Sequence, residues 1–221
     1  VPAAAAEPET AAAKADDVAA GASESWRRIE SPLTFEARLG FGLRPDSGLG
    51  FTDETTAGAE LGLSLYFGLG ERLAAGIALD RASLGRGTGL SGIDSVTAEY
   101  DVYSAMLGLR ALPLRSDFVD LFVGFQLGAG VQTLTATGTS GTGSITAPAR
   151  VFSCDASDTP ALQLGGYLGA RFMLAPRWGV SARLNGVGRR LSGEVLDDCA
   201  PGLGSLVSVG AGLGVGYDFE L

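Results

Sequence analysis

In TFEARLGFGLR, residues 34–44, two kinds of position alternate without a break. Phe35, Ala37, Leu39, Phe41 and Leu43 share one parity, and Glu36, Arg38, Gly40, Gly42 and Arg44 share the other. Successive side chains of a strand point to opposite faces, so this spacing predicts a strand with one apolar face. The design then recurs along the chain. Ala57, Ala59, Leu61, Leu63, Leu65 and Phe67 stand against Gly58, Glu60, Gly62, Ser64 and Tyr66. Leu73, Ala75, Ile77 and Leu79 stand against Ala74, Gly76, Ala78 and Asp80. The fourth repeat is the least regular, with Tyr103, Ala105, Leu107 and Leu109 as its better apolar row. Leu121 to Val131 and Leu162 to Phe172 supply two more. The seventh sets Trp178, Val180, Ala182 and Leu184 against Gly179, Ser181, Arg183, Asn185 and Arg189. The last runs from Val207 through Val209, Ala211, Leu213, Val215, Tyr217 and Phe219 to Leu221, with Ser208, four glycines and Asp218 behind.

The connections alternate too. Brief turns fall near 68–72, 113–118 and 175–177, and long polar loops are expected at 45–56, 84–97, 134–160 and 192–205. An even number of strands with short turns at one end and long loops at the other predicts an antiparallel up-and-down meander. Closing it into a barrel removes both exposed edges. Residues 1–32 differ: they are rich in alanine, acid and proline and almost free of large apolar residues before Trp26. They read as a disordered or partly helical tail, so the expected division is a tail at 1–32 and a barrel at 33–221.

The composition of the two faces decides which of them meets water. The chain holds 34 glycines, no histidine and a formal net charge of −9. A soluble barrel would put the glycine-and-arginine face in water, losing strand propensity for no gain. A membrane barrel turns the leucine, valine and phenylalanine face to lipid and the glycines into a crowded lumen. There Glu36, Glu60 and Asp80 can neutralise Arg38, Arg110, Arg171, Arg183 and Arg189, because a buried carboxylate without a partner costs several kcal/mol. Tyr103, Trp178, Tyr217 and Phe219 fall on the outward parity near strand ends, as interfacial aromatics do, while Tyr66 points inward. The acidic balance disfavours nucleic acid as a partner.

In strand number, loop asymmetry and the ending GVGYDFEL, residues 33–221 resemble the small eight-stranded outer-membrane barrels of the OmpA/OmpX type. The resemblance implies a bacterial outer-membrane protein with short turns and tail in the periplasm and long loops outside. Its expected partners are membrane lipid and lipopolysaccharide, the barrel assembly machinery and a further envelope protein. Members commonly end on a strand of alternating apolar residues that the assembly machinery recognises. Val215, Tyr217 and Phe219 match that pattern; Glu220 and Leu221 run past the aromatic, with Leu221 keeping the parity. The first residue, Val1, is read as the start of a mature chain after signal removal.

Enzymes of this architecture generally use a histidine, which is missing here, so the expectation is a non-enzymatic protein without a cofactor or catalytic residue. Glu60 and Asp80 are expected near one another, either as a working carboxylate pair or, as the favoured reading, as neutralised members of the lumen network. GAGLGVG has a dinucleotide-like spacing but continues as strand where a helix would have to open. Cys154 and Cys199 lie in polar, Asp-rich stretches; the expected disulfide staples neighbouring surface loops, the alternative being two free thiols. Asp46, Asp53, Glu54, Asp94, Asp155, Asp158, Glu194, Asp197 and Asp198 form an acidic rim, either a solvated surface or a divalent-cation site without ordered ligand spacing. Function narrows to a structural, anchoring or partner-binding barrel. The alternatives left open are a narrow pore or transport component, and a barrel subunit of a larger envelope machine.

Overall fold

A computed structural model of the chain describes residues 33–45, 51–90, 93–140, 150–197 and 199–220. The expected tail at 1–32, and the side chains of Asp46, Asp94, Asp198 and Leu221, lie outside the described residues. The described residues form twelve strands: β1 (Leu33–Leu43), β2 (Phe51–Thr55), β3 (Ala57–Gly68), β4 (Leu73–Leu90), β5 (Ile93–Arg115), β6 (Val119–Ser140), β7 (Arg150–Ser157), β8 (Ala161–Met173), β9 (Trp178–Arg190), β10 (Val195–Leu196), β11 (Ala200–Pro201) and β12 (Ser205–Phe219). Eight of them, β1, β3, β4, β5, β6, β8, β9 and β12, close into an antiparallel barrel. The seam is a continuous pairing of β1 with β12, from Leu33 opposite Phe219 to Leu43 opposite Val209.

Parity follows the alternation strand by strand. Tyr66, Val102 and Phe122 are buried, while Leu107, Leu39 and Leu213 are each more than 60% exposed on the outer face. Along β6 the outward residues from Leu121 to Val131 are apolar, a rise of about 33 Å along the strand. At the roughly 40° tilt usual in such barrels this makes a band about 25 Å tall, the thickness of an outer-membrane hydrocarbon core.

The expected loops at 84–97 and 134–160 are instead largely strand. β4 and β5 continue past the band as a hairpin to Leu90 and Ile93, β6 runs to Ser140, and β7 returns beside it. β2 adds to the outer end of β4. Together β2, β4, β5, β6 and β7 form a sheet that rises beyond the belt. A register shift between Ser83 and Gly85 marks where the extension begins. Gly85 has φ +118° and lies against the Thr55 carbonyl, a conformation and a clearance that a β-carbon would deny.

Above the belt the outward face turns polar, with Thr133, Thr135 and Thr137 on β6. The inward face stays apolar through small residues, Ala98 and Ala136 among them, beside Leu84, Tyr100 and Leu134. Without a large apolar row these segments do not announce themselves as strands.

Candidate functional site

Glycine lets long polar side chains cross the lumen. Arg38 lies opposite Gly62 and Gly214 on its two neighbours. A β-carbon on Gly62 would collide with the Arg38 guanidinium, and one on Gly214 would come within 3.0 Å of the Glu36 carboxylate.

The charges sort into local pairs. Arg110 donates to Glu36 at 3.1 Å, and the other Glu36 oxygen accepts from Ser181 at 2.7 Å. Arg110 also stacks on the rings of Tyr66 and Phe122, 4.1 and 4.6 Å from their centroids. Arg38 pairs with Asp80. Arg171 donates to Asp218 at 2.8 Å, and Thr34 donates to the same carboxylate oxygen at 2.7 Å. Arg183 packs over the Tyr167 ring at 3.7 Å and donates to Gln126, which in turn donates to Tyr66; the Tyr66 and Tyr167 hydroxyls meet at 2.9 Å.

Like Arg183, two more expected members find uncharged partners. Glu60 accepts from Asn185 at 3.3 Å, and Arg189 donates to Ser208. Asp80 stands opposite Gly62 and Glu60 opposite Ala82, so the two carboxylates lie one inward row apart, each with its own partner. Sequence reasoning missed Asp218, Ser181, Gln126, the tyrosine pair and Gln163, which accepts from Ser104 at 2.8 Å, as members of the network. Their inward parity was the available signal.

The end of the lumen beneath the extended hairpins is closed by a feature with no sequence signature. The segment between β9 and β12 folds back into the mouth. Its Leu196, Cys199, Ala200 and Leu203, with Leu191 and Leu206 on either side, pack in one buried cluster against Leu84, Ala98, Tyr100, Leu134, Ala136 and Ala156. Polar ties hold this cap in place. The Leu203 amide donates to Gln132 at 2.8 Å, the Tyr100 hydroxyl donates to the Pro201 carbonyl at 3.1 Å, and the Ser192 amide donates to Asp158 at 2.8 Å. A disulfide joins Cys199 to Cys154 on β7. Burial raises the Tyr100 phenol above its ordinary pKa, against the opposing pull of Arg44.

Outside the barrel, Trp178, Tyr217 and Phe219 stack edge to face at 4.8 and 4.7 Å at the short-turn end. Tyr103 sits at the opposite end of the belt, beneath the Arg81 guanidinium. The described members of the acidic rim do not converge: among the described residues no group of three or more His, Cys, Asp or Glu side chains could hold a metal ion.

No family model and no curated protein sequence matches the chain. Solved structures do match its fold. The outer-membrane protein OprG from Pseudomonas aeruginosa aligns at TM-score 0.50 and 12% identity, covering 89% of this chain and 99% of that one. Neisserial surface protein A aligns at TM-score 0.49 and 15% identity over 85% and 97%. The attachment invasion locus protein Ail of Yersinia pestis aligns at TM-score 0.46 and 15% identity over 87% and 100%. With its closed ring of eight strands, apolar outer belt and charged lumen, the chain has the fold of the small eight-stranded outer-membrane β-barrels.

Proposed function

We propose that this chain is a sealed, non-enzymatic outer-membrane anchor that presents a rigid outer sheet and cap to a surface partner. The observation that carries the reading is the double closure of the lumen. Paired charges and aromatic rings fill its membrane-spanning part, and the disulfide-tied apolar cap closes the far mouth. Eight strands enclose room for side chains only, and here the side chains are long and bonded to one another. In this orientation the short turns and the N-terminal tail are periplasmic and the extended hairpins extracellular. The terminal strand, with Val215, Tyr217, Phe219 and Leu221, serves recognition by the assembly machinery.

Planar-bilayer recording tests the sealed state. The folded protein is expected to give no discrete conductance steps; steady single-channel steps from the intact protein would instead favour the narrow-pore alternative.

A further inference from the structure

The outer face of the belt is not uniformly bulky. A shallow, open groove of about 840 Å³ crosses the wall from β1 to β6, with Leu61, Leu79, Ala105, Ala129, Val131 and Pro160 in its lining. Its floor follows from register. Ala105 pairs with Ala129, flanked by Leu79 on one side and Leu162 on the other, so two methyl groups lie between two leucines.

One row further toward the extended hairpins stand Arg81, Tyr103 and Val131. Arg81 is an outward-facing cation at the upper edge of the apolar band, half exposed, with its guanidinium 5.6 Å from the Tyr103 ring centre. Asp101, on the aqueous side, accepts from Arg81 Nη2 at 2.7 Å. That contact uses one of the five donors of a guanidinium and holds the side chain above the groove.

A cation at headgroup level over a trough lined by alanine and leucine matches a lipid that carries both a phosphate and an acyl chain. We propose that this groove is a docking site for a phosphorylated, multiply acylated lipid of the outer leaflet. Arg81 donates to its phosphate, Tyr103 lies at the headgroup boundary, and one acyl chain lies over Ala105 and Ala129. The proposal rests on the outer-membrane reading above and adds to it a specific place and a specific headgroup chemistry. Asp101 competes with the phosphate for the same guanidinium, so its charge should weaken the site.

Native mass spectrometry of the full chain, folded in zwitterionic detergent micelles and titrated with hexa-acylated lipid A, tests this. Folding of each variant is checked first by the gel-mobility shift between unheated and boiled samples. The wild type should retain one lipid A per barrel. R81Q and A129L, which remove the cation and fill the trough, should each retain about tenfold less at equal lipid, the worth of one charge-assisted contact. D101N should retain at least as much as the wild type, lipid A stripped of its phosphates should be lost from all, and inorganic phosphate should not displace the lipid. Equal retention by wild type and R81Q, or equal retention of the dephosphorylated lipid, overturns the site while leaving the anchor reading intact. A wild-type chain that stays monomeric and folded without detergent overturns the membrane reading and the site together.

Discussion

Replacing Glu36 by alanine should be among the most damaging single changes to the barrel. Glu36 is 1% exposed and Arg110 5%. Their 3.1 Å contact is worth about 5 kcal/mol by Coulomb's law at an effective dielectric near 20. The bond from Ser181 adds about 1 kcal/mol. The desolvation of Glu36 itself offsets part of this, and breaking one side of a buried pair typically costs about 3–5 kcal/mol, because the surviving charge stays behind. Arg110 cannot swing out to water, being packed against Tyr66 and Phe122.

The double variant E36A/R110M removes the stranded charge and should therefore cost less than the two single variants summed, by at least about 2 kcal/mol. Urea titration of protein folded into lipid vesicles, read by Trp fluorescence and gel mobility, gives all four corners of the cycle. A loss below about 1 kcal/mol for E36A, or additive single and double variants, would refute the claim that the lumen is held by a dry ion pair.

Four further outcomes follow from the same geometry. Reducing the Cys154–Cys199 bond, which closes a separation of 45 residues, should lower stability by about 4 kcal/mol on the chain-entropy account, measured as the shift in urea midpoint under dithiothreitol. L203D places a carboxylate in the apolar cap cluster without a partner, and should make the 191–204 segment accessible to limited proteolysis while the barrel stays folded. G124A drives a methyl group into the Tyr167 ring and should cost about 1–3 kcal/mol in the same urea assay. Tyr100 supplies a pH test. Its folded pKa is raised, so its contribution is fully present below the unfolded value near 10 and is lost as pH climbs above it. Proteolytic protection of the cap should therefore weaken above about pH 10 in the wild type and not in Y100F.

The staves of the barrel were legible because one physical rule, the period of two, acts on every residue in them. Even the inward setting of Tyr66 and the outward setting of Tyr103 follow from parity alone. The arginines and glutamates of the lumen were legible as a set for the same reason. Individual pairings were not. Arg171 on β8 meets Asp218 on β12 over the intervening β9, a partner fixed by the registers of three strands that no spacing along one strand displays.

The extension beyond the belt reads as loop because its apolar row is short and mixed in size, with Val96, Ala98 and Tyr100 on β5 and Leu134 and Ala136 on β6, and stands among threonine, serine, glycine and acid. The cap was illegible for a stronger reason. Leu191, Leu196 and Leu203 follow no strand or helix period, and they become a core only because Leu84, Tyr100 and Leu134 arrive from three distant strands.

The central claim is that the apolar parity faces lipid and the glycine parity faces a packed lumen. A single-cysteine spin-label scan of β12 from residues 207 to 219, in vesicles, tests it most directly, since both native cysteines are held in the disulfide. Collision with dissolved oxygen should rise at Val207, Val209, Ala211, Leu213 and Val215 and fall at Ser208, Gly210, Gly212 and Gly214, with a polar nickel reagent excluded from both sets. Nickel access at the odd positions, or oxygen access at the even ones, would show the faces reversed.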